Sequence, residues 1–299
     1  MRTKGWSVLL VIATLLLAAC GCAQEEPAAP QPKMEALTIA DGESAEGWNV
    51  AEATMTPSGT HAREGKALNF HIDVDHTTGQ PDYPIGWPRT YHNNPEDQRD
   101  WSQWDFLDFS LYADTSREKL PGTPLGLILR CPDRAGSWSR TLSEATKGEW
   151  VHFRFPLADI PNISNCTAIQ FFISESNYKH GDVVDFYVDE LALLRYAEPT
   201  IVSLRPLQGL VYGDADSLRI EVDVSGMKEA EHRLIHLHLK RGAEGAATSV
   251  AEVTQGRQTL LLTWAGDRLE VGDHTLEAGI EGGSVTKTAP VRVVPSPWE

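Results

Sequence analysis

Apolar residues in this chain recur at every second position over runs of about five to eight residues, with turn-forming residues between the runs. Leu68, Phe70, Ile72 and Val74 alternate with Asn69, His71 and Asp73. Leu107, Phe109 and Leu111 alternate with Asp108, Ser110 and Tyr112. A strand turns successive side chains to opposite faces, so this period builds sheets with one buried side. No long stretch carries the 3.6-residue period of an amphipathic helix, and 24 Gly and 18 Pro are spread along the chain. The chain is therefore expected to be all-β.

Its 299 residues suffice for two ordinary domains. Between residues 37 and 196, further strand patterns fall at 125–131, 151–155, 169–174 and 186–193. Six or more such strands predict two packed antiparallel sheets. Glu198-Pro199 reads as a boundary. Beyond it, alternation resumes at 218–224, 234–239, 259–264, 274–280 and 290–294, which predicts a smaller immunoglobulin-like sandwich over 199–299. That second region has no cysteine, and no sequence repeat links the two halves.

The start of the chain is of another kind. Arg2 and Lys4 precede an apolar run from 8 to 17, followed by Leu17-Ala18-Ala19-Cys20. A basic start, a short apolar core and small residues before a cut make a secretory signal. The run has about half of the ~20 residues that cross a bilayer. Leu-Ala-Ala-Cys resembles a bacterial lipobox, which implies cleavage before Cys20 and a diacylglycerol on its sulfur. The alternative is an ordinary signal cut near Ala19 or Ala23. With residues 1–19 removed, 20–36 reads as a flexible tether rich in Ala, Pro, Glu and Gln. Residue 21 is not Asp, which resembles the pattern for outer-membrane sorting in Gram-negative cells. The expected location is the bacterial cell envelope.

Charge narrows the partners. The formal net charge is −16, and cleavage removes two bases and no acid. Such a surface repels nucleic acid and anionic lipid, so no nucleic-acid partner is expected and the membrane is met through the lipid alone. Cys22 sits beside the lipidation site, while Cys131 and Cys166 fall at strand ends. In an oxidising exported compartment these two are candidates for a disulfide, the alternative being two buried thiols.

Three segments together resemble the galactose-binding-like jelly roll of many bacterial carbohydrate-binding modules. These are Asp41-Gly42-Glu43 followed by Gly47-Trp48, then Arg63-Glu64-Gly65-Lys66-Ala67-Leu68, and finally Asp185-Phe186-Tyr187-Val188-Asp189-Glu190-Leu191. The likeness covers 37–196 and is one of fold. It implies a structural calcium between the opening loop and the closing strand. Glu43 and Asp189 match the acidic positions, with Asp41 in reserve and carbonyls near Gly65 or Lys66 to complete the shell. The alternative is that these acids cap turns.

Sugar sites combine aromatic faces with convergent polar side chains. The loop 76–103 carries Tyr83, Trp87, Arg89, Tyr91, His92, Asn93 and Trp101, and it is long for a structureless connection. A second loop, 176–182, contains Tyr178. A third candidate is an outward sheet face. With Leu68, Phe70, Val151, Phe153, Ile169 and Phe171 inward, the period sends His71, Asp73, Arg130, His152, Arg154, Gln170 and Phe172 outward, some on opposite sheets. Trp104 is expected in the core, and Trp48, Trp138 and Trp150 are candidates for it.

Other chemistry is set aside. His71, Asp73, Asp75 and His76, or His236 with His238, fall at a spacing common on solvated strands. There is no Gly-x-Ser-x-Gly, His-Glu-x-x-His or phosphate-cradling glycine loop. The expectation is a non-catalytic lipoprotein that binds poly- or oligosaccharide. Trp87, Tyr91 or Tyr178 would stack, Arg89, His92 or Arg130 would bond hydroxyls, and the second module would act as spacer. The alternatives are an envelope assembly protein that docks another protein, and a polysaccharide lyase or hydrolase.

Overall fold

A computed structural model describes residues 31–77, 85–132, 137–228, 230–264 and 268–298. Cys20, Cys22, most of the tether and Tyr83 lie outside them. The described residues form nineteen strands and three short 3₁₀ turns. The all-β expectation therefore holds. No described helix is long and apolar enough to cross a membrane.

The first eleven strands are β1 (Met34–Ala40), β2 (Trp48–Ala51), β3 (Thr54–Ser58), β4 (Ala67–Asp73), β5 (Arg89–Asn93), β6 (Phe106–Thr115), β7 (Gly126–Arg130), β8 (Trp138–Thr141), β9 (Trp150–Pro156), β10 (Ala168–Phe172) and β11 (Val183–Tyr196). They make a six-stranded sheet, β3-β4-β11-β6-β9 with β1 also on β11, and a five-stranded sheet, β2-β5-β10-β7-β8. The long β11 pairs with β4 through Val183–Val188 and with β1 through Leu191–Tyr196, while β6 runs along its other edge. The ladder with β6 shifts register between Asp189 and Ala192, at the level where the other edge of β11 passes from β4 to β1. There Glu190 takes a left-handed φ of 56°, and the Asp189 carboxylate accepts the amides of Glu190 and Arg63, both at 2.8 Å.

The residues expected to point inward do so. Phe109 on β6 stacks on Phe153 of β9 with ring centres 5.3 Å apart, and meets Phe171 of β10 edge-on at 5.6 Å. Trp138 on β8 meets Phe155 of β9 at 5.7 Å. These contacts hold the two sheets face to face over one core. Fully burying each such side chain contributes about 1.5–3 kcal/mol.

The remaining strands are β12 (Thr200–Pro206), β13 (Val211–Tyr212), β14 (Ser217–Ser225), β15 (Arg233–Arg241), β16 (Glu244–Val253), β17 (Gly256–Thr263), β18 (Gly272–Ile280) and β19 (Lys287–Val294). They form sheets β12-β14-β17 and β13-β19-β18-β15-β16 around a separate core that includes Ile220, Leu237, Leu262 and Leu276. Asp105, which precedes β6, ties the two parts of the chain. Its carboxylate accepts the amide of Tyr196 at 2.9 Å and the hydroxyl of Ser225 at 2.5 Å.

Candidate functional site

The long loop read from the sequence hides a strand. β5 lies inside it, and on the five-stranded sheet β5 and β7 flank the central strand β10. The register aligns Tyr91, Gln170 and Ile128 in one row, and Arg89, Phe172 and Gly126 in the next. Arg130 stands opposite Ala168 in a third. Residues two apart share a face, so Arg89, Tyr91, Arg130, Gln170 and Phe172 all lie on the side away from Phe171 and the core. Asn49 of β2 and Ser139 of β8 extend the middle row at either edge.

The face is built for planar, amphipathic contact. Phe172 lies over Gly126, where a Cβ would come within 2.3 Å of its ring, so only glycine leaves room for the ring to lie down. Trp87, 39% exposed, meets Phe172 edge-on with ring centres 5.4 Å apart. The Arg89 guanidinium sits 5.0 Å from the Trp87 ring centre. Gln170 is fully buried at the middle of the face, and Arg130 donates to its Oε1 through Nε at 3.2 Å and Nη2 at 2.5 Å. The Gln170 side-chain nitrogen has no partner. Among the described side chains of these three rows there are two arginines and no carboxylate.

Trp87 is held by its backbone. The buried Glu175 accepts the amides of Asp75 at 3.1 Å and Gly86 at 2.8 Å, one on each carboxylate oxygen. Glu52, at a left-handed φ of 59°, accepts the amide of Trp87 at 2.6 Å. Two carboxylates thus grip two successive amides. A Cβ on Gly86 would lie 2.5 Å from Glu175 Oε2 and 2.8 Å from Glu52 Oε2, which explains the glycine.

The structure brings Trp87, Arg89, Tyr91 and Arg130 together; it does not bring the other two predicted ligand residues with them. Tyr178 is a correction. It is 4% exposed within the core, donates its hydroxyl to the Pro124 carbonyl at 2.7 Å, and is held above its ordinary pKa by burial. His92 neighbours Tyr91 on β5 and so faces the other way, with its ring 5.5 Å from Trp48. It lines a small cavity of about 180 Å³ with Ile39, Trp101 and Leu193. Burial lowers its pKa, against a hydrogen bond to the Asn94 side chain that raises it. Trp101 is 2% exposed, and Trp104, Trp48 and Trp138 pack against the core as the sequence suggested. The outward ladder divides between the sheets: Arg130, Gln170 and Phe172 lie on one, and His71, Asp73, His152 and Arg154 on the other.

Asp41, Glu43 and Asp189 do share a cleft, about 710 Å³ in volume, with Glu64, Asp108 and Glu190. Their oxygens are the hard donors that calcium takes. Each already accepts a backbone amide: Asp41 that of Glu43 at 3.0 Å, Glu43 that of Lys66 at 2.9 Å, and Asp189 those of Arg63 and Glu190. No three His, Cys, Asp or Glu side chains gather in a metal-holding group among the described residues. Cys131 and Cys166 are both buried as thiols. The hydrogen bond between them, with burial, pushes the Cys166 thiol far above its ordinary pKa.

No protein-family model matches the chain, and no curated protein matches it either. Solved structures similar to it include a β-1,2-glucanase from Parabacteroides distasonis, at 14% identity and a TM-score of 0.36, over 88% of this chain. The match spans 37% of that enzyme's chain. A carbohydrate-binding module of family CBM28, described as specific for non-crystalline cellulose, is 17% identical with a TM-score of 0.35, over 54% of this chain and 96% of its own. A CBM22 tandem from Paenibacillus barcinonensis is 12% identical with a TM-score of 0.34, over 89% of this chain and 87% of its own. At these scores the likenesses add nothing to what the strand order already shows.

Proposed function

We propose that this chain is an exported, lipid-anchored glycan-binding protein that acts by binding and not by catalysis, with its ligand lying across the outward face of the five-stranded sheet. One observation carries the reading: Trp87, Phe172 and Tyr91 converge with Arg89, Arg130 and Gln170 on one sheet face. Aromatic rings take the apolar faces of sugar rings, and the guanidinium groups, that of Arg130 braced by the buried Gln170, bond the hydroxyls between them. Two arginines and no acid suit acidic as well as neutral glycans, although the chain as a whole is strongly acidic. The lipid at Cys20 would hold this face at an envelope surface.

The test is titration of the protein with a glycan panel, with calcium and with chelator, because the acidic cleft at Asp41, Glu43 and Asp189 offers oxygens of the kind calcium takes. Tyr91→Ala is expected to weaken a bound acidic glycan at least tenfold, about 1.4 kcal/mol. Binding that Tyr91→Ala and Arg130→Ala both leave intact would move the site elsewhere. Separately, Cys20→Ala is expected to abolish incorporation of labelled lipid and to release the protein from the membrane fraction. Undiminished labelling of that variant would exclude lipidation at Cys20.

A further inference from the structure

The six-stranded sheet carries a second row of aromatic side chains on its own outward face. Asn69, Tyr187, Tyr112 and Trp150 are direct cross-strand partners on β4, β11, β6 and β9. The Tyr187 and Tyr112 ring centres lie 5.9 Å apart, and those of Tyr112 and Trp150 5.6 Å apart. His61, from the loop between β3 and β4, lies flat on Tyr112 at 4.0 Å and edge-on to Tyr187 at 4.9 Å. Trp150 is half-buried at the end of the row on the edge strand β9, and it is not among the residues packed against the core.

The flanking rows are polar and rich in acceptors. On one side His71, Asp185 and Asp114 stand in register across β4, β11 and β6. Asp185 accepts from Asn69 at 3.0 Å and is 2.9 Å from His71 Nδ1, and Asp114 lies 3.8 Å from Lys147 Nζ. Burial opposes charge on His71, but Asp185 and Asp73 outweigh it and hold the imidazole above its ordinary pKa. On the other side Ser110 and His152 pair across β6 and β9. The side-chain oxygen of Asn69, buried at the far end of the row, accepts no hydrogen bond. In native structures such an orphan acceptor is uncommon and calls for a donor.

We propose that this face is a second glycan-binding site, centred on Trp150, that takes a neutral, hydroxyl-rich sugar chain. Tyr187 is buried and His61 already holds the position that a sugar ring would take on Tyr112, which leaves the half-buried Trp150, at the end of the row, as the ring a sugar can stack on. The carboxylates there accept from hydroxyl groups, and their pairing with His71, Lys147, His152 and Arg154 leaves the face without an excess charge that would select an anionic chain. The inference goes beyond the five-stranded face and does not depend on it.

The experiment is calorimetric titration of the full chain with neutral gluco-, manno-, xylo- and galacto-configured hexasaccharides, in parallel on wild type, Trp150→Ala and Tyr91→Ala. Two sites in the wild type, of which each variant loses a different one, is the expected result. A single site lost in Trp150→Ala and kept in Tyr91→Ala would also support the second face, and would confine the first to charged glycans. One site lost in Tyr91→Ala and untouched by Trp150→Ala overturns the second face alone. No binding of any neutral hexasaccharide overturns it as well. A readout independent of any variant is hydrogen exchange of β9 in the wild type. Slower exchange at Trp150–Pro156 with saturating neutral hexasaccharide supports the site, and unchanged exchange there counts against it.

Discussion

Glu175→Ala is expected to uncouple Trp87 from the rest of the five-stranded face. The substitution removes the buried carboxylate that accepts the part-buried amides of Asp75 and Gly86. Each buried donor left unpaired costs about 1–3 kcal/mol. The segment then relaxes until water reaches those amides, and Trp87 moves with it. Unfolding free energy should fall by about 2 kcal/mol or more, and affinity for a glycan bound on this face by about tenfold, as for Trp87→Ala. Glu175→Gln keeps one acceptor oxygen and should fall between the two. Gly86→Ala should repeat the binding loss by pushing both carboxylates apart. Glycan affinity unchanged in Glu175→Ala, measured on folded protein, would show that the carboxylate pair does not position Trp87.

The largest stability effect is expected at Phe109. Its ring contacts Phe153, Phe155 and Phe171, and so joins β6 to its neighbour β9 and to the opposite sheet. Phe109→Ala removes contacts on three sides and leaves a cavity that none of these rings can fill alone. The expected loss is about 3–5 kcal/mol, against a total stability of about 5–15 kcal/mol for a typical protein. Because the second core shares no residue with the first, melting of strands β12–β19 should shift little. Calorimetry of Phe109→Ala beside Leu237→Ala, a core residue of the second part, checks both statements. A loss below about 1 kcal/mol in Phe109→Ala would mean that the core repacks.

Many of the strands that the sequence displayed bury one face and wet the other, while β10 and β11, buried on both, showed as nearly continuous apolar runs. β4, β6, β9, β14 and β18 alternate because the hydrophobic effect selects one side of each. β5 did not show itself, because its inward positions are Thr90 and His92 and its outward ones Arg89 and Tyr91. A strand that carries an arginine and a tyrosine on one side and polar groups on the other has no apolar period to read. Much of the candidate site was legible all the same. Trp87, Arg89, Tyr91 and Arg130 could be named from residue type alone, yet Tyr178 looked equivalent and is core. An aromatic side chain in a turn-rich segment suits stacking on a sugar or packing under a loop, and local sequence does not separate the two.

The row Asn69–Tyr187–Tyr112–Trp150 shows the limit most plainly. Its members are separated by scores of residues along the chain and become neighbours only through strand order and register. The pairing of Glu175 with Gly86, and of Glu52 with Trp87, is of the same kind. What the sequence by itself determined was the strand period, the acidic charge and which residues of the read strands turn inward. Each of these depends on spacing within about ten residues or on simple counts. Which sheet each strand joins, which outward residues share a face, and which acids hold amides were decided only by the tertiary structure. Those relations are set by long-range hydrogen-bond ladders and close packing of one core, and a strand carries no local mark of its partner.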